Sequence, residues 1–147
     1  MKKIFLLGIL SALTFSSCKE NDISDDPAYT LIGNWYLSKS KIISGADNST
    51  VEKDATDCTK QSFYRFESDN MVYVSMFELA TSSNSCGLTV NYQKNYTYDN
   101  VNKILIIGAL DKYKVLKATT SELQIYTEGL DSDYDGTLDK TTYTFTK

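Results

Sequence analysis

Phe63-Tyr64-Arg65-Phe66-Glu67-Ser68-Asp69-Asn70-Met71-Val72-Tyr73-Val74-Ser75-Met76 reads as two extended segments about a turn. Tyr64 and Phe66 alternate with Phe63, Arg65 and Glu67, and Val72, Val74 and Met76 alternate beyond the turn. Successive strand side chains point to opposite faces, so this period of two puts one apolar set on one face. Ser68-Asp69-Asn70 supplies turn chemistry through side chains that bond the nearby backbone. The stretch predicts a β-hairpin with one buried face.

The same pattern recurs on both sides. Trp35, Leu37 and Ile43 are spaced for one face of a first strand, with Lys39 and Lys41 interrupting it. Tyr92, Tyr96 and Tyr98 mark a fourth strand, Asp99-Asn100-Val101-Asn102 a turn, and Lys103–Ile107 a fifth. Tyr113 and Val115 belong to a sixth, Leu123 and Ile125 to a seventh, and Tyr143 and Phe145 to an eighth. Ser44–Lys60 has no pattern, and Ala80–Gly87 reads as a small-residue loop. Outside the N-terminus no helical pattern of ten or more residues occurs. Eight strands in sequential hairpins predict an all-β fold, an antiparallel up-and-down barrel whose closure leaves no sticky edge. The alternative is a β-sandwich. Alternation points Leu37, Tyr64, Phe66, Val72, Val74, Met76, Tyr96, Tyr98, Leu105, Ile107, Tyr113, Val115, Leu123, Ile125, Tyr143 and Phe145 inward.

The chain has 147 residues, 41% hydrophobic and 23% charged, which fits one globular domain. It contains no histidine, so Ser-His-Asp and Cys-His relays, histidine zinc sites and histidine pH switches are excluded. A net charge of −4 with a single arginine, Arg65, opposes nucleic-acid binding, which needs clustered cations. There is no phosphate-cradling glycine loop and no nucleophile elbow, and Glu67 and Glu78 have no apparent partner for paired-carboxylate hydrolysis. No enzymatic activity is expected.

Met1–Ser17 pairs a charged start, Lys2 and Lys3, with an apolar run from Ile4 to Phe15. That run is too short to span about 30 Å of hydrocarbon but suits a signal-peptide core. Phe15-Ser16-Ser17-Cys18 resembles the lipobox of bacterial lipoproteins, in which the signal is cut before a cysteine that is then acylated. The resemblance implies a signal peptide over 1–17, a lipidated Cys18 with a polar tether over 18–29, and a barrel domain over 30–147. It also implies a membrane partner reached through the lipid anchor. Lys19-Glu20-Asn21-Asp22 partly resembles the export tag of surface lipoproteins and favours the outer membrane, on its periplasmic or cell-surface face.

Gly33-Asn34-Trp35 at the head of the first strand resembles the Gly-x-Trp signature of lipocalins, and the meander over Leu31–Lys147 looks like bacterial lipocalin-like domains. The resemblance implies a barrel closed near Gly33 and Trp35, a lid at Ser44–Lys60 and a small hydrophobic or amphipathic ligand in the lumen. Tyr64, Phe66, Val74, Met76, Tyr96, Tyr98, Tyr113 and Tyr143 would line that lumen. Lipocalins usually stack a late arginine on the tryptophan; none follows Arg65, and Lys140 is the expected substitute. The competing reading is a cell-surface interaction module with a filled barrel, whose outward Tyr36, Tyr73 and Tyr126 would stack on a glycan or a protein partner.

Two features complete the expectations. In an exported chain Cys58 and Cys86 flank the predicted hairpin and are placed to form a disulfide. Asp131-Ser132-Asp133-Tyr134-Asp135-Gly136-Thr137-Leu138-Asp139 matches D-x-D-x-D-G-x-x-D and resembles the calcium loops of EF-hands, dockerins and thrombospondin repeats. Asp131, Asp133, Asp135, the carbonyl of Thr137 and Asp139 would ligate a structural calcium, a hard ion that takes oxygen ligands.

Overall fold

The computed structural model describes residues 31–80, 84–131 and 135–147. The signal, Cys18 and the tether lie outside the described residues, as does Asp133. Among the described residues nine strands form one antiparallel sheet: β1 (Gly33–Ile43), β2 (Thr50–Asp54), β3 (Phe63–Phe66), β4 (Met71–Ala80), β5 (Ser85–Asp99), β6 (Ile104–Ile107), β7 (Asp111–Ala118), β8 (Glu122–Leu130) and β9 (Asp139–Thr146). A 3-10 turn over Thr59–Gln61 precedes β3.

β1 closes the ring. Gly33–Tyr36 pairs with β3, and Tyr36–Ile43 pairs with β9, so β1 and β3 to β9 make a closed eight-stranded barrel of neighbours in sequence. The hairpin that decided the fold stands where the alternation put it, with Phe66 opposite Val72 and Tyr64 opposite Val74. One apolar face must be buried, and a slip of one residue would turn that whole face to solvent.

Two expectations about loops are corrected. The patternless stretch Ser44–Lys60 contains β2, which pairs only with Lys39–Ile43 of β1. Its five residues are all exposed, so no hydrophobic alternation was there to read. Asn48, at φ 61°, provides the left-handed turn that joins the two strands. Within Ala80–Gly87, the described Ala80 and Ser85–Gly87 belong to a ladder as well, because β4 runs on to Ala80 and pairs through Glu78 with Gly87 and through Ala80 with Ser85. Among the described residues of this ribbon, Glu78, Leu79, Ala80, Asn84, Ser85 and Cys86 are exposed and Gly87 is half-buried.

The core fills the half of the barrel near Gly33. Trp35, Phe66, Val72, Leu105, Ile107, Leu123, Ile125 and Phe145 are completely buried. Trp35 plugs this end, and its Nε1 donates to the Leu31 carbonyl at 2.6 Å. The cation over its ring is Lys147, not Lys140: the Lys147 Nζ lies 4.5 Å from the ring centre and donates to the Ile32 carbonyl at 3.0 Å. Lys140 sits at the opposite end of β9, opposite Ile43 and Glu128. Gly33 makes this strap feasible. Its φ is +121°, and a Cβ there would lie 3.2 Å from the Lys147 Cε.

Candidate functional site

All eight residues expected in the lumen face the barrel interior, and their burial is graded. Tyr64, Phe66, Val74 and Tyr96 belong to the buried cluster, whereas Met76, Tyr98, Tyr113 and Tyr143 pack against it only partly buried. The aromatic layer is held edge to face: Tyr64 meets Phe145 with ring centres 5.0 Å apart, and Phe66 meets Tyr96 at 4.9 Å. Such geometry matches the positive ring edge to the negative ring face. Tyr96 turns its hydroxyl toward the closed end and donates to the Glu67 carbonyl at 3.2 Å.

Above this layer the lining becomes polar. Tyr64 and Tyr113 lie close enough to influence each other's ionisation, and Tyr92 and Tyr143 oppose it in both. Burial pushes the Tyr113 phenol up to about 12 and the Tyr64 phenol well above its ordinary 10.0. Burial also raises Tyr92 and Tyr143, where Asp111 and Glu78 respectively add to it. Two charged residues join the set, and the inward pattern read from sequence omitted both. Lys94 places its Nζ 2.9 Å from the Asp111 carboxylate and 4.4 Å from the centre of the Tyr92 ring. The bond to Asp111 holds the Lys94 ammonium above its usual pKa. The signal was present: Lys94 lies two residues from both Tyr92 and Tyr96, and Asp111 two from Tyr113. Ala118 also packs against the buried cluster.

The raised phenols define an alkaline limit. In the unfolded chain these groups lose their protons near pH 10; in the fold Tyr113 does so at about 12, and burial shifts Tyr64 in the same direction. Stability is therefore intact below pH 10 and falls as pH rises between the two values, because the unfolded state alone gains by deprotonation. For Tyr113 the loss reaches about 2 kcal/mol by pH 12. A pH titration should show phenolate absorbance from the buried tyrosines rising together with loss of the β-sheet signal. A smooth rise near pH 10 with the sheet intact would contradict the buried cluster.

The outward tyrosines do not form one patch. Tyr36 packs on Phe63 of β3, and Tyr73 of β4 lies under the Arg65 guanidinium, 4.2 Å from its carbon. Tyr126 stands on β8, with its hydroxyl bound to the Glu128 carboxylate.

Cys58 and Cys86 are joined in a disulfide with their Cα atoms 5.4 Å apart, tying the segment before the 3-10 turn to the start of β5. In the acidic loop both oxygens of Asp131 accept N–H groups, from Asp135 at 3.1 Å and Gly136 at 3.0 Å. Asp135 accepts from the Thr137 N–H at 2.8 Å and from the Ser44 hydroxyl at 3.4 Å. Asp139 is fully buried and accepts the Gly45 N–H at 3.0 Å, clasping the β1–β2 loop to the β8–β9 loop. These loops touch so closely that a Cβ on Gly45 would lie 2.2 Å from the Leu138 carbonyl oxygen. Among the described residues no three carboxylates or thiolates gather as a metal site.

A family model described as a lipocalin-like domain matches residues 31–125. No curated protein matches the chain. Among solved structures, the chain is similar to a deswapped triple mutant of bovine odorant-binding protein, at 14% identity and TM-score 0.43, over 80% of this chain and 74% of that one. It is also similar to the bovine lipocalin allergen Bos d 2, at 12% identity and TM-score 0.46, over 82% and 75%. A complex of bovine odorant-binding protein with a selenium-containing odorant matches at 12% identity and TM-score 0.46, over 84% and 74%.

Proposed function

The chain belongs to the lipocalin-like domain family, and from that premise we propose that it binds a small hydrophobic or amphipathic ligand in the tyrosine-lined half of its barrel. The observation that carries this reading is the gradient of burial. Trp35, Phe66 and Phe145 are completely buried, whereas Leu37, Met76, Tyr92, Tyr98, Tyr113 and Tyr143 are only partly buried. Binding sites of this kind combine apolar walls with a few convergent polar groups. Here the polar groups are the tyrosine hydroxyls and the Lys94–Asp111 pair. The ligand class that fits is an aromatic or aliphatic body with a hydrogen-bonding end.

The test uses N-phenylnaphthylamine, a neutral apolar fluorophore. The native chain is expected to bind it saturably, and Leu37→Trp, which adds bulk beside Phe145, is expected to weaken binding at least tenfold. Absence of saturable binding by the native chain would point instead to a filled barrel acting as an interaction module.

The proposal also places the protein at the outer membrane, hung from a lipid on Cys18. Incorporation of labelled palmitate that disappears in Cys18→Ser tests the anchor. Finally, the proposal gives the Asp131–Asp139 loop a structural calcium. The sequence spacing supports it, as does Gly136 at φ +89°, a turn only glycine adopts cheaply. Affinity in the range of about 10⁻⁴–10⁻³ M, as in extracellular modules, gives roughly 1–3 kcal/mol at 10 mM calcium. A rise of several degrees in melting temperature with calcium, absent with magnesium and in Asp131→Asn, is expected. Equal effects of the two ions would remove calcium from the account.

A further inference from the structure

The outside of the barrel carries a depression of about 850 Å³ that the lumen reading leaves unused. The outer face of a closed barrel is ordinarily convex, and this volume falls in the range of about 300–1,000 Å³ typical of small-molecule sites. Its geometry follows from register. Ile104 of β6 stands opposite Lys114 of β7, Lys114 opposite Tyr126 of β8, Tyr126 opposite Thr142 of β9, and Thr142 opposite Lys41 of β1. These five positions alternate with core residues such as Leu105, Val115 and Ile125, so the row runs across the exterior. Ile43 and Lys112 flank it within the same depression.

The chemistry of the row is specific. Tyr126, Ile43 and Ile104 provide an apolar floor, and Lys41, Lys112 and Lys114 stand around it. The one acid in the lining, Glu128, is engaged by the Tyr126 hydroxyl. Lys41 leans on Glu52 at 3.6 Å, whereas among the described residues Lys112 and Lys114 have no carboxylate partner. Cations left unneutralised around an apolar floor, on a chain whose net charge is −4, make a local site of opposite sign to the molecule that carries it.

We propose that this outer groove binds a free small amphipathic anion. Lys112 and Lys114, with Lys41 beside them, hold its carboxylate, sulfonate or phosphate head. Its aliphatic or aromatic body lies along Tyr126, Ile43 and Ile104. A membrane surface is the less suitable partner, because a depression of about 850 Å³ fits one small molecule, whereas a bilayer needs a broad contact. Tyr113, whose side chain faces the lumen, also borders this depression from β7, and the proposal stands whether or not the lumen is occupied.

The test is methyl NMR on the full chain titrated with decanoate and, separately, with decanol. Decanoate is expected to shift the Ile43 and Ile104 methyls, whereas shifts at the core residues Ile107 and Ile125 report the lumen and are scored separately. Lys112→Glu with Lys114→Glu is expected to weaken decanoate at least tenfold at these methyls, with decanol unaffected and the melting temperature little changed. The single variant Lys114→Met keeps the apolar length, should lose several-fold, and serves if the double variant folds poorly. Raising the salt concentration should weaken decanoate and not decanol. Unmoved Ile43 and Ile104 methyls would overturn the proposal, as would a charge-reversed chain that still binds decanoate at full strength. Lysine-dependent capture of phosphatidylglycerol vesicles without a decanoate response would also overturn it, assigning the face to the membrane.

Discussion

Trp35→Ala is expected to destabilise the protein by about 4 kcal/mol, the upper part of the range for deleting a large buried aromatic. Trp35 is completely buried at the sealed end of the barrel, where the ends of β1, β3 and β9 meet. Its removal leaves a void flanked by strands that cannot move together without breaking ladder bonds. It also strips the Leu31 carbonyl of its donor and the Lys147 ammonium of the ring beneath it. A domain of this size is stable by only about 5–15 kcal/mol, so the variant should be close to unfolding at physiological temperature. Urea unfolding with an unchanged slope and a lowered midpoint is the expected record. Two companions apportion the effect. Trp35→Phe retains most of the volume and should cost about half as much, much of it from the orphaned carbonyl. Lys147→Ala should cost about 0.5–1 kcal/mol, the value of an exposed cation over an aromatic face. A loss below about 2 kcal/mol for the alanine variant would mean that Trp35 fills space the barrel can close by itself.

What the sequence disclosed follows from where side chains go. Residues 63–76 were legible because one face of that hairpin is fully buried and the other is not, and the period of two records that asymmetry directly. The same holds for Tyr113, Val115, Leu123, Ile125, Tyr143 and Phe145, each of which faces inward. β2 was invisible for the complementary reason: both of its faces are exposed, so nothing selected its residues by side. Lys94 and Asp111 were missed through a different error. A charge in a strand is usually read as outward, yet these two pair on the inward-facing side while staying partly exposed, and only their spacing from Tyr92 and Tyr113 could have revealed it. Substituting Lys140 for the missing arginine failed on topology. In an antiparallel ring the last residues of β9 return beside the first residues of β1, so the cation nearest Trp35 had to come from the far end of β9, where Lys147 stands. The acidic loop shows the limit of reading residue types. Asp131, Asp135 and Asp139 look equivalent in sequence, but in the fold Asp139 is fully buried under Gly45 while the other two cap the loop's own backbone.

Removing the disulfide, by reduction or as Cys58→Ala with Cys86→Ala, is expected to cost about 3.5 kcal/mol, from the chain entropy regained by an unfolded loop of this length. The two cysteines are 28 residues apart, and the loop they close contains all of β3 and β4. The bridge ties the segment before β3 to the ribbon of β4 and β5 beyond the barrel rim. That ribbon has little apolar burial of its own, since Leu79 and Leu88 are each about half exposed. Other ties remain when the bridge is gone. Phe77 donates its N–H to the Ser62 hydroxyl at 2.9 Å, and Leu37 donates to the Ser62 carbonyl at 2.9 Å. The reduced chain should therefore keep the barrel at low temperature and lose the ribbon first. Two measurements separate these levels. The melting temperature should fall by roughly 10 °C, the change that about 3.5 kcal/mol produces in a domain of this size. Hydrogen exchange should accelerate at Ser85–Val90 well before it does in β6 to β8, because a segment held mainly by a cross-link opens locally when the link is cut. Uniform acceleration across the barrel would show the bridge acting only on the unfolded chain. A melting temperature unmoved by reduction would show that the ribbon and the 3-10 turn are held in place without it.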